Sequence, residues 1–314
     1  MKGRRTIDLP GKSLCTLLSL LLLCACTTTI KPVGSMPIAD PSTKIVKEGA
    51  QQHQLETLPA AALLAEGERL LAEGNPQLAQ IYLLKALEKE PSGARGYVDL
   101  GMAWQQAGDL PKARFAYEKA LTTAADNAPA LLALARLDRR QGNEQEAERR
   151  LSRVLTLEPD NVEALTELAM IYQHSAAPEA QTESLLRKVV ALRPHAAASH
   201  NNLGYDLLVQ ERYPEAIDAL QRALSLDPGN AVARNNLAAA YALSGQTEQA
   251  LQLFTQGEGK AAAWNNLGFI YLSQKRYELA EQAFNRALEL SPRFYARARQ
   301  NLDHLQYLRQ EAAP

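Results

Sequence analysis

The residues of this chain best equipped for covalent chemistry sit at its start. Its three cysteines are Cys15, Cys24 and Cys26. Cys15 lies inside the apolar run Leu14–Leu23 and the other two follow it, behind the basic residues Lys2, Arg4, Arg5 and Lys12. Such a run is too short to span a bilayer and has the build of a secretory signal, so it belongs to processing and not to the fold. If processing removes the residues before Cys26, a single thiol remains, and disulfides and cysteine metal sites are then excluded. The five histidines, His53, His174, His195, His200 and His304, are scattered, and none has a second histidine or a cysteine three or four residues on. Neither a nucleophile elbow nor a phosphate-cradling glycine loop occurs. Carboxylates such as Glu144, Glu146 and Glu148 fall on one polar helix face. The sequence therefore predicts no enzyme, no cofactor and no metal. With 34 basic and 35 acidic residues and no basic block beyond Lys12, it predicts no nucleic-acid partner either.

Side-chain amides are the remaining candidates for recognition chemistry. Asn-Asn-Leu occurs at Asn201–Leu203, Asn235–Leu237 and Asn265–Leu267, the first two copies 34 residues apart. A fixed period of this size marks a stacked repeat protein. Around the triplets, Leu203, Gly204 and Leu207 define one helical face, Ala216, Leu220 and Ala223 a second, and Pro228 with Gly229-Asn230 stops the second helix. Gly204 and Ala216 lack bulk where the paired helices cross.

This pattern resembles the tetratricopeptide repeat. Seven units follow it, beginning near Ala60, Ala94, Ala128, Val162, Ala197, Ala231 and Ala261, most of them closed by a proline: Pro91, Pro159, Pro194, Pro228 and Pro292. The second unit has Ala125 in place of that proline, and the fourth carries one extra residue, placed in the turn His174–Pro178. The sixth is four residues short and ends in Gly257-Glu258-Gly259, read either as a surface deletion or as a hinge. The resemblance implies an all-α tetratricopeptide-repeat superhelix of about seven helix pairs. Beyond Pro292, Ala298, Leu302, Leu305 and Leu308 form one side of a helix that caps the last repeat. The domains expected are a lipoprotein signal peptide (1–25), a lipidated N-terminus and flexible linker (26–58), the repeats (59–294), and the capping helix and tail (295–314).

Leu23-Cys24-Ala25-Cys26 in turn resembles the bacterial lipobox, in which a small residue precedes the lipidated cysteine. The resemblance assigns lipidation to Cys26, because Cys24 follows the bulky Leu23. Thr27, where an aspartate would favour inner-membrane retention, points to the periplasmic face of the outer membrane in a bacterial cell envelope. A polar linker of about thirty residues has an r.m.s. reach of roughly 30 Å, enough to hold the repeats off the membrane.

In the tetratricopeptide family the second, fifth, sixth, ninth, twelfth and thirteenth positions of a unit face ligand along a concave groove. Carried over, these include Asn201, Asn202, Tyr205, Leu208 and Val209 in the fifth unit, Asn235, Asn236, Ala239 and Leu243 in the sixth, and Asn265, Asn266, Phe269 and Leu272 in the seventh. Asn202, Asn236 and Asn266 match the position that hydrogen-bonds a peptide backbone, an amide being both donor and acceptor; the alternative is a purely structural role. Tyr205, Leu208, Phe269 and Leu272 either line the groove for a hydrophobic peptide or pack between repeats. In the third unit Arg136, Arg139 and Arg140 either read an acidic segment or form a solvated face. Lipobox and repeats together resemble the tetratricopeptide lipoproteins of the tight-adherence (Flp) pilus assembly system, with type IV pilus pilotins close behind. That resemblance implies partners among secretin, pilus or secretion components, bound in the groove, and membrane contact through the lipid anchor. The alternative is a periplasmic adaptor that recruits cell-wall hydrolases or other envelope proteins.

Overall fold

The computed structural model describes residues 55–174, 179–291 and 295–312. Cys26, the signal segment and the linker as far as residue 54 lie outside the described residues, as do residues 175–178 of the lengthened turn. Among the described residues the fold is all-α, without a strand. Seven helix pairs follow one another: α1 (Ala60–Ala72) with α2 (Pro76–Lys89), α3 (Ala94–Gln106) with α4 (Leu110–Thr123), and α5 (Ala128–Arg140) with α6 (Glu144–Leu157). Next in order come α7 (Val162–His174) and α8 (Glu179–Leu192), then α9 (Ala197–Val209) with α10 (Tyr213–Leu226), α11 (Ala231–Leu243) with α12 (Thr247–Glu258), and α13 (Lys260–Ser273) with α14 (Tyr277–Leu290). A final helix, α15 (Tyr295–Ala312), closes the chain. The described residues divide into two compact units, 55–171 and 172–312.

Each pair closes on small residues. An added Cβ on Gly204 would stand 2.6 Å from Leu220 Cγ, and one on Gly268 would stand 2.7 Å from Phe284 Cδ1. Only a glycine lets the backbone of the first helix approach the second so closely. Leu207, Leu220, Ala223, Phe284 and Ala287 are buried around these crossings. Burial of each large side chain contributes about 1.5–3 kcal/mol, which is what holds helices too short to be stable alone.

Between the two helices of a pair the chain turns through a left-handed residue. Glu211 (φ 60°) and Lys275 (φ 58°) take the place that glycine fills in other repeats. Each is followed by the same closing bond, Arg212 N to Leu207 O and Arg276 N to Tyr271 O, both 2.9 Å. This six-to-one bond satisfies a carbonyl at the helix end and fixes the reversal.

Helix ends between repeats do not depend on proline. The second repeat lacks it, yet α4 stops at Thr123 with Ala124 at φ −140°, ψ 94°, much as α10 stops before Asp227 at φ −139°, ψ 89°. Asn127 then caps α5, its side chain accepting from Ala130 N at 2.9 Å. In the sixth repeat α12 has 12 residues against 14 in α10 and α14, and the single residue Gly259 both ends α12 and begins α13. Gly259 sits at φ 86°, ψ 170°, a backbone region essentially closed to other residues. Gly257 remains helical, beside Arg234. On α15, Ala298, Leu302 and Leu305 are buried against the last pair, while Arg309 pairs with Glu281 at 2.8 Å. The last helix thus covers α13 and α14, the place a further repeat would take.

Candidate protein-binding surface

First helices of neighbouring repeats touch one another, α1 with α3 in the first unit and α9 with α11 and α11 with α13 in the second, more than second helices do. Each unit therefore curves toward its first helices, and those helices line its inner side. At the sixth position of the fourth and sixth repeats, and on α15, this inner side carries a polar residue that reaches back to the preceding repeat. Asn236 Nδ2 donates to Asn201 Oδ1 at 3.0 Å, and Asn301 of α15 donates to Asn265 Oδ1 at 2.9 Å. In the first unit the sixth-position residue of α7, Glu167, accepts from Arg136 Nε at 2.8 Å and Arg139 Nε at 2.9 Å. Of the three arginines for which an acidic partner and a solvated face are the two readings, Arg136 and Arg139 are thus matched within the chain by a carboxylate from the next repeat, and Arg140 is exposed. A bridge of this kind, half-exposed, contributes about 0–1 kcal/mol but fixes the register of α5 against α7.

The amide and aromatic residues divide by burial. Asn202 and Tyr205 on α9 and Phe269 on α13 are half-buried, with part of each side chain open to the inner side. Asn202 Oδ1 accepts from its neighbour Asn201 at 3.4 Å, a contact too long to be strong. Asn236 and Asn266, by contrast, are 3% and 7% exposed. Leu208 at 0% and Leu272 at 7% belong to the packed interior of the unit. The structure thus brings Asn202, Tyr205 and Phe269 to one surface and assigns Asn236 to the joint between repeats.

Three aspartates of first helices are buried: Asp99, Asp138 and Asp206. Asp138 receives guanidinium groups from both neighbouring second helices, Arg114 at 2.7 Å and Arg150. Asp206 accepts from Gln210 at 2.8 Å and Gln173 at 3.4 Å. Burial, opposed by the Gln173 bond and reinforced by the charge of Glu183, pushes its carboxyl up to about 6. Asp99 occupies the sixth position of its repeat, where the fifth, sixth and seventh repeats carry asparagine, so alignment of the repeats marks it in the sequence. What it faces is not a donor. It lies against Glu68 of α1, and burial first, then the charge and shared hydrogen bond of Glu68, push it up to about 7, against the pull of Arg95. Among the described residues no group of three or more histidines, cysteines, aspartates and glutamates is arranged to hold a metal ion. No described helix is long and apolar enough to cross a membrane.

Comparison with known proteins agrees with this geometry. Three family models, each described as a tetratricopeptide repeat, match residues 261–294, residues 105–169 and 207–261, and residues 64–129 and 181–231. Together they span most of the helical array. The chain is a tetratricopeptide-repeat protein. It is 33% identical over 120 residues to the Heat-shock protein cognate (HSC) co-chaperone sgt12 of Aspergillus fumigatus, covering 37% of this chain and 35% of that protein. It is 26% identical over 262 residues to a TPR repeat-containing protein of Treponema pallidum, covering 80% of this chain and 27% of that one. The chain thus spans between about a quarter and a third of the length of these relatives. Among solved structures, pilF of Pseudomonas aeruginosa superposes with a TM-score of 0.56 at 22% identity, covering 63% of this chain and 89% of that one. A tetratricopeptide repeat protein from Parabacteroides merdae gives 0.55 at 20% identity, covering 79% and 98%. At such identities the likeness is one of fold. What the repeats build is a scaffold for protein–protein interaction.

Proposed function

We propose that this tetratricopeptide-repeat protein is held at the periplasmic face of the outer membrane through acylated Cys26 and assists the assembly or targeting of a pilus or secretion secretin. Its part is that of a TadD-like lipoprotein. The observation that carries the reading is the inner surface of the second unit, where Asn202, Tyr205 and Phe269 are half-buried on first helices. An amide beside an aromatic ring on α9, with a second ring two repeats on along α13, suits an extended segment, the amide meeting peptide groups and the rings covering apolar side chains. The lipobox-like Leu23–Cys26 and the proline-bearing linker supply the anchor and its reach.

The anchor is tested by Cys26→Ser. That variant loses radioactive palmitate and leaves the membrane fraction; label that persists in it moves the acylation elsewhere and removes the basis of the localisation. An array that instead captures cell-wall hydrolases on its inner surface is an adaptor for those enzymes, and the secretin reading then fails.

A further inference from the structure

The repeats of one array serve as controls for one another. Ile81 on α2 and Phe115 on α4 stand 34 residues apart, at the same position of the first and second repeats, and are 47% and 56% exposed. The third to seventh repeats carry Arg149, Ser184, Asp218, Gln252 and Gln282 there, all exposed and all polar, as the wet face of a surface helix normally is. Leu84, one turn on from Ile81 and 49% exposed, extends the apolar strip, and Lys119 covers the Phe115 ring from 5.6 Å without closing it off. The two helices share a core, since Ala116, next to Phe115, belongs to the same cluster as Tyr82 and Leu83 of α2. An apolar strip confined to two successive repeats marks a contact surface.

The described chain enters the fold beside this strip. Leu55 and Leu58 pack on the same core, and Lys89 at the end of α2 donates to Glu56 O at 2.8 Å and to Leu58 O at 2.6 Å. Lys85, adjacent to Leu84, pairs with Glu56 at 3.0 Å. Ten residues before Leu55 stands Ile45-Val46, the one point between Thr27 and Gln54 where two β-branched aliphatic side chains adjoin, held between Lys44 and Lys47. Ten residues span at most about 33–36 Å, enough to pass Leu84 and reach a neighbouring helix about 8–10 Å away. Two acids border the strip: Glu88, which shares Lys85 with Glu56, and Glu118, their side chains 68% and 52% exposed. They are opposite in charge to the two lysines of the segment.

We propose that the chain's own segment Lys44–Lys47 docks on Ile81, Leu84 and Phe115, with Ile45 and Val46 covering the apolar side chains and the lysines facing Glu88 and Glu118. Because the segment is tethered, its effective concentration is on the order of millimolar, so a contact of a few side chains suffices. Docking shortens the free tether from Cys26–Leu55 to Cys26–Lys44, a fall in r.m.s. reach from roughly 30 Å to roughly 23 Å. It also turns the second-helix side of the first unit toward the anchor. The contact itself requires neither acylation nor a secretin.

The test is photocrosslinking of the full chain in intact cells from benzoylphenylalanine in place of the exposed Phe115. The expected product keeps the mass of one chain, joins position 115 to residues 44–47 by mass spectrometry, and forms in a yield unchanged by a tenfold change in expression. Ile45→Asp with Val46→Asp lowers that yield at least fivefold while helicity stays the same. Capture of a second copy, of lipid or of another protein in its place overturns the proposal, as does a yield that the two aspartates leave unchanged or the absence of any product. Crosslinking from Phe269 is unaffected by these changes, so failure here is distinguishable from failure of the secretin reading.

Discussion

Replacing Gly101 by alanine tests the close approach on which each repeat is built. An added Cβ would stand 2.5 Å from Tyr117 Cε1, 2.6 Å from Cδ1 and 2.9 Å from Cζ. The favourable carbon–carbon separation is about 3.5–4.0 Å, so the overlap is roughly 1 Å. The ring has nowhere to go, being 1% exposed with its hydroxyl 3.2 Å from Gln105 Oε1. Relief requires α3 and α4 to part, or the ring to leave its rotamer, and overpacking of this kind costs about 1–3 kcal/mol. Against this stands a gain of about 1 kcal/mol from alanine in a helix interior. The net expectation is a loss of about 1 kcal/mol. The third repeat has Ala135 in the equivalent place with Leu151 opposite in register, so Gly101→Ala with Tyr117→Leu recreates an existing combination and is expected to lose less than the sum of the single changes. Urea denaturation of the four proteins, read by circular dichroism and fitted as a linear array, gives the coupling. If Gly101→Ala proves stabilising by about 1 kcal/mol, as at an open helix site, or if the two changes add without coupling, the close-approach argument is wrong.

Glu211 holds a left-handed conformation that costs an ordinary residue about 1–2 kcal/mol, so Glu211→Gly should raise the urea midpoint; an unchanged or lower midpoint contradicts the strain. Asn236→Ala removes the bond to Asn201 from a site 3% exposed and should cost about 1 kcal/mol of stability, whereas Asn202→Ala should leave stability within about 0.5 kcal/mol and act on partner capture instead. Equal effects of the two on stability would show that burial does not separate their roles. Asp206 is raised from 3.8 to about 6 in the fold, so its folded form holds the proton longer: its contribution is present at low pH and is lost as pH rises through about 6. Stability measured from pH 5 to 7.5, above the range of the depressed carboxylates Glu183 and Glu215, should therefore fall by about 1.4 kcal/mol from this group, the part of its raised span that lies above pH 5, with a smaller fall in Asp206→Asn. A rise with pH in the wild type refutes it.

How much of this was legible in the sequence follows from the range of each interaction. The helix pairs were, because Gly204, Leu207, Leu220 and Ala223 recur at helical spacing within one repeat, and the short sixth repeat announced itself in Gly257–Gly259. The expected dependence of helix ends on proline was too strong: Ala124 ends α4 in the same conformation through the cap at Asn127. The candidate surface was read by position alone, which selects a helix face but cannot tell an open residue from a covered one. Leu208 and Leu272 therefore went to the groove with Tyr205 and Phe269, although both are buried. Links across repeats were the least visible. Arg136 meets Glu167, and Asp99 meets Glu68, only after the repeats are stacked, and no local pattern joins residues about thirty apart.

The central claim is that a pilus or secretion secretin component is held on the inner side of the second unit, and site-specific photocrosslinking in intact cells tests it most directly. With a photoreactive residue in place of Tyr205 or Phe269, the account predicts capture of a secretin or pilus subunit, identified by mass spectrometry. The same probe at the outward-facing Leu290 should capture none. Capture of that subunit equally well from Leu290, or its absence from both inner positions while the chain remains folded and membrane-bound, would contradict the account.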